Sequence, residues 1–245
     1  MTRTRLATLV STASLLLSAC GGGTQQLEAF VPQRYFALGV PGVAGPSANR
    51  FGRVSPTRAA HVVAEFGTAL RVLDGGECDV GIESTIVDCT RAAPALLRPG
   101  QLGRARIEAV LGMTLAAPDE HSPRAAGTLQ AHYAPTAPVR LFDGTAPPAW
   151  PGQPSVKGKA VAVYSRLVPQ AADGRCVWRP MPEDPAAVAH ELFAVLRGFD
   201  DVGVAAIWVE QPPADSSWDG VRDRLQRAAT AGFLSLSLPS LPHST

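Results

Sequence analysis

Apolar residues recur along the chain with two different spacings, and these spacings predict a mixed α/β protein. Short runs rich in β-branched and other apolar residues predict strands at 42–46, 70–73, 82–89, 96–98, 139–142, 160–164 and 204–209. Helices are predicted at 104–111, 185–197 and 218–229, and a further helix follows Ser55-Pro56-Thr57. In that further helix, Ser55 is the predicted N-cap and Pro56 the first helical residue.

Proline content separates the chain into regions. The stretch 113–158 contains eight prolines, which exclude regular helix and favour an extended, proline-rich linker. Residues 42–112 precede this linker as one mixed α/β region, and residues 159–238 follow it as a second. The second region alternates strand, helix, strand and helix, which favours a small Rossmann-like domain with a parallel sheet. No GxGxxG follows its first strand, so dinucleotide binding has no support.

Residues 1–41 have the pattern of a secretory signal. Arg3 and Arg5 precede an apolar run at 6–17, and a Leu-Ser-Ala-Cys tetrad resembling a bacterial lipobox ends at Cys20, which would be lipidated after cleavage. The apolar run is too short to span a bilayer comfortably. The alternatives are an apolar helix of the following domain and a misassigned start of the reading frame.

Composition narrows the possible partners. The 245-residue chain has a formal net charge of +1 and no dense run of Lys and Arg. That argues against tight, non-specific nucleic-acid binding but leaves a transient RNA contact open. The four cysteines form no CxxC pair and have no histidine at ligand spacing, so neither a zinc site nor a disulfide framework is predicted. We therefore assign no metal-ligating residue.

The segment 46–52 combines small residues with hydrogen-bonding side chains. Proline, alanine and glycine there let a ligand approach the backbone, while Ser47, Asn49 and the later Ser55 offer donors and acceptors. The alternative is a turn in which the same side chains bond their own backbone. The residues alone leave both interpretations open.

Three further segments carry candidate chemistry. In Glu83-Ser84-Thr85, two hydroxyls beside a carboxylate suit a phosphate or a hydrated metal, although threonine is also ordinary in strands. Arg98, fixed by the following proline, can present its guanidinium fork to a phosphate, or it can be a surface arginine before a turn. The pair His132-Tyr133 lies on a rigid stretch of the linker, where packing and catalysis are both possible roles.

Taken together and in this order, these segments resemble the second half of a YrdC-type domain and the linker behind it. The resemblance rests on residues 45–52, 55–57, 74–76, 81–88, 97–100 and 132–135. The C-terminal pattern is similar to the small domain that distinguishes the Sua5 type from stand-alone YrdC, and it rests on residues 192–193, 196–197, 223–225 and 227–229. On this basis, 42–112 is the C-terminal half of a YrdC-like domain and 159–238 a Sua5-type domain.

The resemblance implies an ATP-dependent threonylcarbamoyl-AMP synthase. Such an enzyme condenses L-threonine, bicarbonate and ATP, with Mg²⁺, into threonylcarbamoyl-AMP and pyrophosphate, and its product feeds t6A37 formation in tRNA. The implied partners are the cytoplasmic tRNA modification machinery and a transient tRNA contact, with no stable membrane partner unless Cys20 is lipidated.

The resemblance also implies roles for individual residues. Ser47, Asn49 and Ser55 would line the ATP site, with Arg98 neutralising phosphate charge and Tyr133 closing over the nucleotide. Ser84, with Thr85 beside it, would bind the threonine-carbamate and phosphates. The chemistry needs no covalent nucleophile, so no residue is assigned as catalytic.

The front of the family's domain has no counterpart in residues 1–41. A Lys-x-Arg pair that contacts ATP in the family is missing, and residues 1–41 contain no lysine. We therefore expect an N-terminally truncated chain that is impaired as a synthase. One alternative is a catalytically dead nucleotide- or RNA-binding fragment. Another is an exported lipoprotein built on such a fragment.

Overall fold

The computed structural model describes residues 47–144, 160–167 and 176–237, with side chains up to residue 232. The signal-like segment with Cys20 and the strand predicted at 42–46 lie outside these residues. The described part of the chain has two regions, which we call the N-terminal and the C-terminal region, and the linker segment that contains Tyr133 lies between them.

The N-terminal region contains two short helices and a strand pair. Its elements in chain order are α1 (Ala59–Phe66), β1 (Ile86–Asp88), β2 (Ala95–Arg98) and α2 (Arg104–Leu111). The strands β1 and β2 are antiparallel, with Val87 opposite Leu96. Ile107 of α2 packs against Leu96 and Leu115 in a small apolar cluster, which fixes α2 on the strand pair.

The C-terminal region is a four-stranded sheet with two long helices. Its elements are β3 (Val139–Phe142), β4 (Val161–Ser165), β5 (Cys176–Pro180), α3 (Pro185–Val202), β6 (Ala206–Glu210), a 3-10 turn (Ser216–Trp218) and α4 (Asp219–Ser237). All strand pairs are parallel, in the spatial order β3-β6-β4-β5. The mixed α/β class and the parallel sheet predicted from the sequence are confirmed.

Helix ends follow the residues that the sequence places there. Asp184 accepts a hydrogen bond from the Ala187 amide at 3.0 Å and caps α3, whose first residue is Pro185. Gly112 and Gly203 close α2 and α3 with φ of 68° and 74°, a conformation that costs glycine little. The predicted bounds of α2, 104–111, are confirmed.

The two regions share one apolar core. Val54 and Ile82 of the N-terminal region belong to the same buried cluster as Leu192 and Phe193 of α3. The contact is tight at Gly81, where a Cβ would lie 2.1 Å from the His190 carbonyl oxygen. The C-terminal helices therefore support the N-terminal region directly.

Two predictions on the N-terminal region are wrong. Ser55 does not cap α1, which starts at Ala59 after Arg58, because the Ser55 hydroxyl bonds the Glu83 carboxylate instead. Residues 70–73 form no strand: Leu70 and Leu73 are 47% and 75% exposed, and the segment pairs with no strand among the described residues.

Among the other strands, one is shorter than predicted, one was not predicted, and one belongs to the C-terminal sheet. The strand predicted at 82–89 shortens to β1 because Glu83 bonds to α4 and the Thr85 amide lies against Gly100. The half-exposed edge strand β5 was missed. The strand predicted at 139–142 within the linker stretch is confirmed as β3, and it belongs to the C-terminal sheet.

None of the described helices has both the length and the apolar character needed to cross a bilayer.

Replacing Gly81 tests the contact between the regions. Gly81→Ala should lower the free energy of unfolding by about 3 kcal/mol, because φ of +83° and the carbonyls of Ala189 and His190 both disfavour a side chain. Gly198→Ala in α3 should raise the free energy of unfolding by roughly 0.5–1 kcal/mol, because a Cβ there would meet no neighbouring residue within 4 Å. Urea denaturation measures both variants. A Gly81→Ala protein as stable as the wild type would contradict this packing.

Candidate functional site

The segment after residue 46 is a turn that bonds largely to itself. The Ser47 hydroxyl donates to Asn49 Oδ1, and Asn49 Nδ2 donates to the carbonyls of Arg50 at 2.9 Å and Arg53 at 3.2 Å. The Ala134 amide donates to the Gly52 carbonyl at 2.8 Å, so the turn lies against the segment that carries Tyr133. Ser47 and Asn49 are thus held at the edge of the linker segment.

A cavity of about 260 Å³ opens beside this turn. Ala48, the 56–59 segment and the loop at 70–76 form most of its lining, together with Val62 and Cys78. Gly75 and Gly76 in this lining have no side chain, so a ligand can approach the main chain there.

Glu83 is a buried carboxylate with both oxygens bonded. Oε1 accepts from the Ser55 hydroxyl at 2.5 Å, and Oε2 accepts from Arg224 Nε at 2.7 Å. Burial alone would raise the pKa of Glu83, but the Arg224 guanidinium and the two hydrogen bonds outweigh it and hold that pKa below the ordinary 4.5. Glu83 is therefore an anchor and is not available to bind a metal.

Arg98 lies beside the two predicted hydroxyl residues. Its guanidinium is buried, and Nε and Nη1 donate to the carbonyls of Ser84 at 3.1 Å and Ala126 at 2.8 Å. The Thr85 hydroxyl donates to the Leu102 carbonyl at 2.7 Å. The Ser84 hydroxyl is half-buried and forms no hydrogen bond among the described residues, so a ligand can bond to it.

Tyr133 is deeply buried. Its ring stacks on Phe193 at 5.3 Å between centroids, and the Arg224 guanidinium carbon lies 5.4 Å from its centroid. Its φ of 59° is the only positive value for a non-glycine residue in the described chain. Burial raises the pKa of its hydroxyl to about 12. The hydroxyl and the neighbouring His132 Nδ1 are both buried without a partner among the described residues.

Gly127 completes the wall between Tyr133 and Arg98. A Cβ at that position would lie 2.0 Å from the Tyr133 hydroxyl oxygen and 2.9 Å from Arg98 Nη1. The Tyr133 hydroxyl and the Arg98 guanidinium therefore both lie directly against Gly127, and a side chain at 127 would collide with them.

A chain of contacts links most of the predicted residues, although none of them lines the cavity of about 260 Å³ beside the turn. Ser55 contacts Glu83, Glu83 contacts Arg224, and Arg224 lies over Tyr133, which shares the Gly127 wall with Arg98. Ser84 is linked to Arg98 through its carbonyl. The turn is linked only by the Gly52 carbonyl, which accepts from the Ala134 amide, while the described bonds of Ser47 and Asn49 stay within the turn. Thr85 differs from the rest because its hydroxyl is bonded to the Leu102 carbonyl.

Sequence reasoning missed Arg224 and Gly127 as parts of this site. Arg224 is 1% exposed, and its side chain is among the largest that are fully buried. Arginines on an amphipathic helix normally lie on its solvent-exposed face, so the position of Arg224 in the sequence did not indicate that it is buried. Within the described chain, no group of three or more His, Cys, Asp and Glu residues can hold a metal ion.

Two family models match the chain. The model described as "Threonylcarbamoyl-AMP synthase, C-terminal domain" matches residues 102–230, and the one described as "Telomere recombination" matches residues 12–100. The second match begins within the segment that resembles a secretory signal. Together the two matches cover both regions of the fold.

The chain is similar to threonylcarbamoyl-AMP synthases from distant organisms. It is 34% identical over 206 residues to the Bacillus subtilis protein (78% of this chain, 58% of the relative). It is 33% identical over 199 residues to the Pyrococcus abyssi protein (76% and 57%). With the Schizosaccharomyces pombe protein, identity is 30% over 240 residues (86% and 59%). The chain thus spans 57–59% of the length of these curated relatives.

Solved structures share the fold. The crystal structure of P. abyssi Sua5 complexed with L-threonine superposes with a TM-score of 0.64 at 30% identity, over 76% of this chain and 57% of that one. A variant of the same archaeal protein, with an adjacent His and Tyr replaced by Ala, gives a TM-score of 0.60.

The depressed pKa of Glu83 predicts an acid-labile contribution to stability. The unfolded carboxyl binds its proton more readily, so this contribution is complete above pH 4.5 and is lost as pH falls toward the lower, folded pKa. Glu83→Gln should reduce the slope of unfolding free energy against pH, below pH 4.5, by up to about 1.4 kcal/mol per pH unit. Urea titrations at several acidic pH values measure the slope. Equal slopes in the two proteins would contradict the assignment.

Proposed function

Because the chain belongs to the Sua5/YrdC family of threonylcarbamoyl-AMP synthases, we propose that it makes threonylcarbamoyl-AMP from L-threonine, bicarbonate and ATP. The observation that carries the proposal is the convergence of Ser84, Arg98 and Tyr133 around the buried Glu83–Arg224 pair. These residues come from three separate segments, and each segment is one on which the family resemblance rests.

The proposed reaction has two steps. The threonine amine adds to bicarbonate with loss of water and gives a carbamate. A carbamate oxygen then attacks the α-phosphorus of ATP, and the bond to the β-phosphate bridging oxygen breaks to release pyrophosphate. Negative charge builds on phosphate oxygens, so placed cations and N–H donors supply the stabilisation that the reaction needs.

Each predicted residue has a proposed place in this chemistry. Ser47 and Asn49 contact ATP beside the cavity at Ala48, and Ser84 contacts the carbamate or a phosphate. Arg98 offers the part of its guanidinium that Ser84 and Ala126 do not occupy. Mg²⁺ enters with ATP as part of the substrate.

Ser55, Thr85 and Tyr133 have indirect roles in this proposal. The hydroxyls of Ser55 and Thr85 are bonded to Glu83 and to the Leu102 carbonyl, so both residues shape the walls of the site. Tyr133 forms its floor next to Arg98. To cover a nucleotide, the ring would have to leave Phe193.

The proposed product, threonylcarbamoyl-AMP, implies a role for the protein in tRNA modification. Threonylcarbamoyl-AMP is an activated acyl-adenylate-type intermediate, and its consumer is the machinery that forms t6A37 on tRNA, with a transient tRNA contact. ATP and tRNA both occur in the cytoplasm, so we propose a cytoplasmic location.

Pyrophosphate release tests the function. The wild-type chain with ATP and bicarbonate should release pyrophosphate only when threonine is present. Ser84→Ala should lower kcat/KM about 10- to 100-fold, because a hydrogen bond to a charged group contributes about 1.5–3 kcal/mol. Thr230→Ala on α4 is the matched control, since its hydroxyl bonds only the Gln226 carbonyl within its own helix.

The outcomes separate this function from its rival. Saturable ATP binding without pyrophosphate release would favour a catalytically dead nucleotide-binding fragment. Pyrophosphate release that does not depend on threonine would refute the synthase assignment.

A further inference from the structure

We propose that Glu83 and Arg224 are positioning residues, which hold the segments of Ser84 and Arg98 at a fixed distance for the substrate. The inference rests on the proposed function, in which those two segments contact the carbamate and the phosphates. It assigns to α4 of the C-terminal region a direct part in building the site, through the buried side chain of Arg224.

Arg224 joins two segments with a single guanidinium. Nε donates to Glu83 Oε2 at 2.7 Å and Nη2 donates to the Glu83 carbonyl at 3.1 Å, while Nη1 donates to the Pro99 carbonyl at 2.6 Å. Glu83 directly precedes Ser84, and Pro99 directly follows Arg98. The planar group therefore sets the spacing between these neighbours.

The backbone confirms that the two segments are in contact at this point. A Cβ on Gly100 would lie 2.4 Å from the Thr85 amide nitrogen, and one on Gly220 would lie 3.0 Å from the Gly100 carbonyl. Gly220 is one turn before Arg224 on α4, so the absence of a side chain there lets the helix approach closely. Any shift of α4 would therefore move both segments.

Neither member of the pair is suited to a direct role in the reaction. Arg224 is 1% exposed, and a second carboxylate, that of Asp223, accepts from its Nη1 at 2.9 Å. Both oxygens of Glu83 are bonded to protein groups. A lysine at 224 would keep the charge but lose the fork that reaches both segments, because an ammonium on a flexible stem is a point charge.

Stability alone does not explain the pair. Replacing a buried ion pair with neutral groups of similar volume is often neutral or stabilising, whereas removing one partner is strongly destabilising. If the pair only stabilised the fold, a neutral double variant would recover full function together with its stability. If it positions the segments, such a variant would fold and still bind poorly.

The test compares Arg224→Lys and the double variant Glu83→Gln/Arg224→Met with the wild type. We expect the double variant to recover most of the thermal midpoint lost by Arg224→Met alone. Both test variants should still bind ATP and threonine about 10- to 100-fold more weakly, since small misplacements of contact groups have effects of this size. Their backbone amides at 83–86 and 99–102 should exchange hydrogen faster.

Arg166→Met is the matched control. Arg166 also forms an ion pair with a buried carboxylate, that of Glu210 at the end of β6. Its other described contacts are with Gln211 and the Trp218 ring, which lie outside the motif segments. This variant should lower the thermal midpoint but leave the affinities and the exchange at 83–86 and 99–102 unchanged.

Hydrogen exchange separates the failure of this inference from the failure of the proposed function. Unchanged exchange in both test variants, or full recovery of affinity in the double variant, would overturn the positioning role. A wild-type chain that binds neither ATP nor threonine would overturn the proposed function. In that case, faster exchange at 83–86 and 99–102 in Arg224→Lys would still show that Arg224 holds the two segments.

Discussion

The candidate site depends on the buried ion pair between Glu83 and Arg224. Removing two charges from water costs several kcal/mol per ion, and neither charge is tolerated alone in an apolar core. Here each group finds further partners: the Ser55 hydroxyl on the carboxylate, and two backbone carbonyls and Asp223 on the guanidinium. Because a single arrangement satisfies all of these groups, the pair fixes the positions of the segments it bonds more than it stabilises the fold.

A second arginine extends the same principle to α3. Arg197 donates to the carbonyls of Val54 and Ser55 and forms an ion pair with Glu65 at 2.7 Å. Loop carbonyls that are shielded from water need donors, and a guanidinium offers five N–H groups in a fixed plane. Both long C-terminal helices therefore supply hydrogen bonds that the irregular N-terminal segments cannot make themselves. This explains why the two regions share one core.

Local signals in the sequence predicted much of the fold. Asp184-Pro185 marks the start of α3, and Gly112 marks the end of α2, because capping depends on a few adjacent residues. Predictions were wrong where a distant residue determines the outcome. Serine is a common N-cap residue, yet the Ser55 hydroxyl donates to the carboxylate of Glu83, 28 positions later in the chain. The edge strand β5 was missed because its apolar run at 176–178 is only three residues long and is followed by Arg179 and Pro180.

The candidate site divides similarly between what local sequence can and cannot predict. Ser84 and Arg98 were predictable as polar residues in glycine- and proline-rich settings, and the structure places them in contact. The role of Glu83 was not predictable, since a carboxylate between ligand-type residues suits a metal equally well. Only its partner Arg224, 141 positions later, turns it into an anchor, and no spacing rule relates the two residues.

The hydrogen bonding of the cluster separates framework groups from groups that are free to bind. Glu83 and Arg224 have their charged atoms bonded, whereas the Ser84 hydroxyl, the Tyr133 hydroxyl and His132 Nδ1 have no partner among the described residues. An unpaired buried polar atom costs about 1–3 kcal/mol, so two such atoms beside a saturated ion pair need an explanation. A ligand with acceptor oxygens would satisfy the half-buried Ser84 hydroxyl, whereas Tyr133 is 1% exposed and its ring is stacked on Phe193. The Glu83–Arg224 pair holds the segments of Ser84 and Arg98 in place before a ligand binds. Its own hydrogen bonds need no rearrangement when the ligand binds.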